Sequence, residues 1–90
     1  MDELERELAG MICEVCRIEG GVPDDLSSAA PLIGPESQLG IDSLDAVEIV
    51  FTVQNRFNVR IDSEETSRKV LASLKILADF VRQQRVDGIR

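Results

Sequence analysis

The sequence predicts a small all-α domain. Apolar residues recur at helical spacing in several segments, and almost no segment shows the alternation that is typical of strands. The chain has 90 residues, which is enough for one hydrophobic core but leaves little volume for an enclosed active site. We therefore expect one domain over residues 1–86, a weakly anchored tail over residues 87–90, and a function located on the surface or in a shallow groove.

The composition excludes several classes of function. The chain has no histidine, which is the usual general base and the commonest metal ligand. Its net charge is -7, with fifteen acids and four bases in residues 1–65 but two acids and six bases in residues 66–90. Such an acidic surface disfavours nucleic acid and anionic membranes and favours basic protein partners. The acidic start and the lack of a long apolar run predict a cytoplasmic chain that does not insert into membranes, and we expect a monomer.

The first predicted helix covers residues 2–18. Three glutamates in its first turns suit the positive end of a helix, and Gly20 and Gly21 are expected to end it. Its apolar stripe consists of Leu4, Leu8, Met11, Ile12, Val15 and Ile18.

Cys13 and Cys16 have the C-x-x-C spacing of redox or zinc sites. A zinc site needs about four ligands, and a redox pair lies at a helix N-terminus after a strand, whereas these two residues lie inside a helix. The helical projection places Cys16 at the margin of the stripe and Cys13 on the polar side. We therefore predict one boundary residue and one exposed thiol, with thiol-redox or metal handling as the remaining alternative.

Residues 21–40 form a long connection that contains all three prolines. Four apolar residues along it are expected to attach it to the core: Leu26, Leu32, Ile33 and Leu39.

The second predicted helix begins at Asp42 or Ser43, either of which can act as N-cap. A phosphate attached to Ser43 would lie near backbone N–H groups without helical partners and near the positive end of the helix dipole. A serine used only as a cap is the simpler interpretation.

The apolar residues of this helix spread over roughly 220° of its circumference, which is more than one buried face requires. Ala46, Ile49, Val50, Val53 and Phe57 can face the core. Leu44, Val47 and Phe51 then lie beside Asp45 and Glu48, and this arrangement predicts an exposed docking strip unless the long loop covers it.

The last helix has one apolar sector, from which Ile76 and Phe80 deviate. The sector contains Leu71, Leu74, Leu77, Ala78 and Val81. We expect Phe57 and Phe80 to be core residues.

Residues 39–50 read LGIDSLDAVEIV and resemble the D-S-L motif region of acyl carrier proteins. The resemblance extends over most of the chain: residues 58–65 are similar to the loop into the family's short third helix, and residues 70–81 to its last helix.

The resemblance implies a four-helix bundle with a long loop between the first two helices and a short third helix. It implies that Ser43 carries 4'-phosphopantetheine, which holds acyl groups as thioesters, and that the protein is a cosubstrate rather than an enzyme. A phosphopantetheinyl transferase and acyl-transfer, ketosynthase or related enzymes with basic patches would be the partners. The residues that would meet them are Asp42, Leu44, Asp45, Val47, Glu48 and Phe51, and candidate residues for an acyl-chain pocket are Ile49, Val50, Val53, Ile61, Leu71 and Leu74.

Three departures from the common pattern indicate a specialised carrier. Gln38 stands where an aspartate is usual, residues 54–56 (QNR) replace an acid-rich helix end, and bases are frequent in the last third of the chain: Arg68, Lys69, Lys75, Arg82 and Arg85. These bases could also serve simply as solvated helix surface. A carrier of aminoacyl or peptidyl groups and an unmodified docking module are the alternative functions.

Overall fold

The computed structural model describes the backbone of residues 2–89 and the side chains of residues 2–84. Four helices follow one another: α1 (Glu3–Val15), α2 (Ser43–Phe57), α3 (Glu64–Val70) and α4 (Leu74–Ile89). Within the described residues there is no β-strand, and α1 packs against α4 and α2 while α3 packs against α4. The all-α prediction, including the long loop and the short third helix, is confirmed. No helix in this part of the chain is long and apolar enough to cross a bilayer.

α1 is shorter than predicted at its C-terminal end. Its N-cap is Asp2, whose carboxylate accepts the Glu5 N–H at 2.9 Å, while the Glu5 carboxylate accepts the Asp2 N–H at 3.0 Å. This backbone hydrogen bond and the neighbouring Arg82 guanidinium lower the pKa of Asp2. The helix ends at Val15 because Arg17 adopts a left-handed conformation (φ 56°), and the Ile18 N–H bonds to the Cys13 carbonyl at 2.9 Å. The prediction that Gly20 and Gly21 end the helix was therefore wrong.

The C-terminal end of α4 extends past the predicted end of the domain, and at its N-terminal end a serine side chain binds a backbone N–H of the first turn. The helix continues to Ile89, beyond residue 86, where the domain was expected to end. The side chains of residues 85–90 and the backbone of Arg90 lie outside the described part, so the weakly anchored tail stays a prediction. At the other end, the Ser73 hydroxyl accepts the Ile76 N–H at 3.2 Å, which satisfies a backbone donor of the first turn.

The core is formed by the apolar faces of all four helices. Leu8, Ile49 and Leu77 are fully buried, and Phe57 is 9% exposed, so its predicted core role is confirmed. Phe80 is partly buried and packs against this core, and Ile76 is exposed, as the helical projection predicted. The core therefore follows the predicted apolar sectors, and α2 takes part with only one of its sides.

The long loop over residues 16–42 packs onto the bundle. Leu32 is buried, and its N–H bonds to the Ala72 carbonyl in the turn between α3 and α4 at 3.2 Å. The other three predicted anchors, Leu26, Ile33 and Leu39, are partly buried against the core. The anchoring prediction is confirmed, and the loop delivers the chain to the start of α2 in a defined position.

Candidate functional site

The approach to α2 is organised around one serine in the loop. Ser37 Oγ donates to the Leu32 carbonyl at 2.7 Å and accepts the N–H groups of Leu39 (3.2 Å) and Ile41 (3.3 Å). Gly40 then turns the chain with φ 68°, a conformation that a residue with a side chain rarely adopts, and Ile41 is buried. Ser37 is not recognisable from the sequence, because a single polar residue in a loop gives no indication that it forms three hydrogen bonds.

Gln38 also holds this loop. Its side-chain oxygen accepts the Ser27 N–H at 2.8 Å and its amide nitrogen donates to the Asp25 carbonyl at 3.2 Å. These two bonds connect segments eleven and thirteen residues apart. The glutamine that departs from the acyl carrier pattern therefore has a structural role in this chain.

Asp42 is the N-cap of α2, and Ser43 is the first residue inside the helix. One Asp42 carboxylate oxygen accepts the N–H groups of Leu44 (3.0 Å) and Asp45 (2.9 Å), while Asp45 accepts the Asp42 N–H at 3.4 Å. Because Asp42 performs the capping, the exposed Ser43 hydroxyl has no hydrogen-bond partner among the described residues. Of the two caps that the sequence allowed, the structure selects the aspartate and leaves the serine accessible.

The expected field for a phosphate on Ser43 needs a correction. Within the described residues, the Leu44 and Asp45 N–H groups are occupied by Asp42, so only the Ser43 N–H of the first turn lacks an acceptor. The carboxylates of Asp42 and Asp45 at the helix start also disfavour a further negative charge there. The helix start therefore offers a phosphodiester one backbone donor instead of several.

The docking strip predicted on α2 is exposed. Leu44 is 78% exposed, Val47 67% and Phe51 66%, whereas Ile49 and Val53 on the opposite side are fully buried. The long loop does not cover the strip, which excludes that alternative. Asp42 and Glu48 are exposed and Asp45 is half-buried, so the strip lies next to carboxylates as expected. An apolar strip of this size bordered by charge is typical of a protein contact surface.

The six candidates for an acyl-chain pocket lie in or next to the core. Ile49, Val53, Leu71 and Leu74 are at most 2% exposed, Ile61 is buried, and Val50 is partly buried. A separate open groove of about 460 Å³ lies at α1 and the long loop, lined by Arg6, Val22, Pro23, Asp24 and Leu26. None of the six candidates lines that groove.

The two cysteines differ from the prediction. Cys13 is buried and Cys16 is half-buried, so the exposed thiol predicted at position 13 was wrong. Both α4 and α2 pack against α1, and the turn through Ile18 lies at the C-terminal end of α1. The buried surface of α1 is therefore wider than one apolar stripe and includes Cys13. Burial raises the pKa of Cys13, and burial together with the charges of Asp45 and Glu48 raises the pKa of Cys16 to about 11. A redox nucleophile requires the opposite shift.

The sequence matches the phosphopantetheine attachment site family over residues 6–75. This chain belongs to that family. It is 31% identical over 81 residues to acyl carrier protein 1, chloroplastic, of Hordeum vulgare, covering 90% of this chain and 52% of the relative. It is 31% identical over 77 residues to acyl carrier protein 1, chloroplastic, of Casuarina glauca (86% and 54%), and 28% identical over 81 residues to acyl carrier protein 3, chloroplastic, of Cuphea lanceolata (90% and 54%).

The chain spans about half the length of the curated relatives that it matches. No solved structure matches it. The family match confirms the resemblance to acyl carrier proteins and the prosthetic group that it implies, 4'-phosphopantetheine. The start of α2 fits such a group, because it presents an exposed hydroxyl that no described residue binds.

Proposed function

We propose that this chain is an acyl carrier protein whose arm is attached at Ser43. The observation that carries the proposal is the division of labour at the start of α2, where Asp42 caps the helix and leaves the Ser43 hydroxyl accessible. When bound, 4'-phosphopantetheine supplies a flexible arm whose terminal thiol carries acyl groups as thioesters. The protein itself then acts as a cosubstrate, and the chemistry is performed by its partner enzymes.

Attachment would proceed by phosphoryl-group transfer from CoA. Ser43 Oγ forms a bond to the phosphorus next to the pantetheine, the phosphoanhydride bond of CoA breaks, and adenosine 3',5'-bisphosphate leaves. The hydroxyl proton passes to a base of the transferase, which performs the chemistry. The part played by this chain is to hold the hydroxyl at the helix start, accessible to solvent.

Partner recognition is assigned to the strip and its acidic border. We propose that Leu44, Val47 and Phe51 contact apolar surface on a phosphopantetheinyl transferase and on acyl-transfer, ketosynthase or related enzymes, while Asp42, Asp45 and Glu48 face basic patches. Charge attraction raises the rate of encounter and a small contact area keeps dissociation fast, as a shuttling carrier requires. Tethering the cargo raises its effective concentration at each partner.

The acyl-chain pocket is proposed at the six core residues named above. Because most of them are fully buried, an acyl chain has to separate packed side chains to enter.

The protein is proposed to be cytoplasmic and monomeric. Imaging of a tagged protein tests its location, and sedimentation of the purified chain tests its oligomeric state.

The experiment for the attachment uses the purified apo chain with CoA and a broad-specificity phosphopantetheinyl transferase. We expect intact mass to show one phosphopantetheinyl unit and peptide fragmentation to locate it on Ser43. Ser43→Ala should remain unmodified, whereas Ser63→Ala, the matched change at the start of α3, should be modified normally. A folded wild-type chain that stays unmodified beside a modified control carrier would contradict the proposal.

An unmodified docking module is the second candidate, because the exposed strip would serve it equally well. Under that function, Ser43→Ala would keep partner binding and biological activity.

Loading assays with acyl-CoA and with aminoacyl adenylates separate the acyl carrier from an aminoacyl or peptidyl carrier, and we expect acyl loading.

A further inference from the structure

One side-chain hydrogen bond holds the segment that follows α2. Gln54 is half-buried near the end of that helix, and its side-chain oxygen accepts the Ile61 N–H at 2.9 Å. Among the described residues, this is the only hydrogen bond made by the backbone of residues 59–62. Val59 and Ile61 are buried, so a single bond holds a segment whose side chains belong to the core.

Gln54 lies on the same line of α2 as the proposed attachment residue. At about 100° per residue, positions 43, 50 and 54 lie within roughly 40° of one another around the helix. Ser43 is exposed, while Val50 and Gln54 are half-buried, so this line follows the boundary between solvent and core. With a rise of about 1.5 Å per residue, Gln54 lies roughly 6 Å beyond Val50 along the axis. An acyl chain that enters the core beside Val50 and continues along α2 therefore meets the bond between Gln54 and Ile61.

We propose that Gln54 is a positioning residue that holds residues 59–62 in place and thereby limits how far an acyl cargo reaches into the core. To pass between α2 and this segment, a long chain has to break the bond and leave the buried Ile61 N–H without its acceptor. The lost bond and the unsatisfied donor both oppose insertion. A short chain that stops beside Val50 avoids this cost. The inference rests on the proposed carrier function, because it concerns the cargo of the arm at Ser43.

The first arm of the test uses the wild-type chain loaded with either butyryl or dodecanoyl cargo on phosphopantetheine. Amide hydrogen exchange is measured by NMR, and the rate at Ile61 is divided by the rate at Leu32, whose acceptor is the Ala72 carbonyl outside the segment. We expect this ratio to be roughly fivefold higher with dodecanoyl cargo, because the long chain breaks the bond. Equal ratios for the two cargoes would overturn the inference, and this arm needs no variant.

The second arm measures how far the fold protects the cargo thioester from hydroxylamine at neutral pH, with acetyl cargo as the unprotected reference. Gln54→Met removes the acceptor and keeps the side-chain length, so dodecanoyl protection should rise roughly fivefold while butyryl protection stays unchanged. Gln54→Glu keeps an acceptor oxygen and should match the wild type. Gln38→Met is the matched control, because it removes the bonds to Ser27 and Asp25 but leaves residues 59–62 held.

The outcomes separate a limit on cargo length from a general loosening of the fold. Unchanged dodecanoyl protection in Gln54→Met, an equal rise for both cargoes, or the same rise in Gln38→Met would overturn the inference. Failure of the wild-type chain to accept phosphopantetheine or an acyl group would instead contradict the proposed function. Intact mass shows such a failure before any exchange or protection is measured.

Discussion

The starts of α2 and α3 use serine and acidic residues in opposite ways. At α3 the N-cap is Ser63, whose hydroxyl accepts the Thr66 N–H at 3.0 Å and donates to the Thr66 hydroxyl at 2.9 Å. At α2 the N-cap is Asp42, and Ser43 stands one position later with its hydroxyl unbound among the described residues. A shift of one position relative to the cap therefore separates a structural serine from an accessible one.

The acids at the two starts differ in the same way. Glu64 and Glu65 of α3 pair with Arg68 and Lys69 one turn later. Asp42, Asp45 and Glu48 at α2 form no ion pair with a cation among the described residues. The charges of α3 are satisfied within the helix, whereas those of α2 remain available to a partner and act on the neighbouring Cys16.

The largest expected effect concerns the reactivity of Cys16. With a pKa of about 11 instead of about 9, its thiolate fraction at pH 7.5 should be about a hundredfold lower than that of an ordinary thiol. In a Cys13→Ala background, which removes the second thiol and one smaller raising contribution, the rate of alkylation by iodoacetamide should still titrate well above pH 9, because burial and the two carboxylates remain. Neutralising the start of α2 with Asp45→Asn and Glu48→Gln should lower this midpoint, because two of the raising charges are removed.

The same shift sets a pH dependence of stability. The folded chain holds the Cys16 proton more tightly than the unfolded chain, so the stabilisation is complete below about pH 9 and is lost as the pH rises towards 11. Urea unfolding of the wild type and of Cys16→Ala between pH 8 and 11 checks this sign. An alkylation midpoint near pH 9, or a pH dependence that is identical in Cys16→Ala, would contradict the assigned environment.

Removing the cap of α2 should be the next largest change. Asp42→Ala leaves the Leu44 and Asp45 N–H groups without their acceptor, and we expect a loss of about 1–2 kcal/mol in the free energy of unfolding. Asp42→Asn, which keeps a capping oxygen, should lose less than half of that. Urea denaturation measures both, and equal losses in the two variants would show that charge and not capping determines the stability.

The corresponding change at α3 should be smaller. Ser63→Ala removes one capping acceptor, and we expect a loss of about 1 kcal/mol at most, with no effect on phosphopantetheine attachment. Ser63→Thr keeps the hydroxyl and serves as the control. A defect in attachment in Ser63→Ala would mean that the start of α3 influences the start of α2, and it would contradict the independence of the two helix starts.

The smallest expected effect is that of Ser43→Ala on stability. Because the hydroxyl makes no hydrogen bond in the described structure and is exposed, the free energy of unfolding should change by less than about 0.5 kcal/mol. Thermal and urea unfolding measure it in the apo form. A loss comparable to that of Asp42→Ala would indicate that the Ser43 hydroxyl forms a hydrogen bond that helps to cap the helix.

Much of the helical pattern was predictable because it depends on local spacing. The apolar sector of α4 and the two sides of α2, with Ile49 inside and Phe51 outside, follow from the helical repeat. The end of α1 was not predictable, because Gly20 and Gly21 gave a stronger stop signal than Arg17, which nevertheless adopts the left-handed conformation. The burial of Cys13 was missed because a projection of one helix does not show how many neighbours cover it.

The sequence by itself determined the helical fold class, the position of Ser43 at a helix start and the excess of apolar residues on α2, since these depend on residues close together in the chain. The capping by Asp42 and the hydrogen bonds of Ser37 are local, but the sequence pattern left them undecided until the structure showed them. The tertiary structure alone decided that the loop leaves the strip exposed and that Gln38 ties the approach to α2 to residues 25 and 27. It also placed Cys16 within the influence of Asp45 and Glu48. The physical reason is that hydrogen-bond partners, burial and charge interactions depend on segments brought together from distant parts of the chain, which local spacing does not encode.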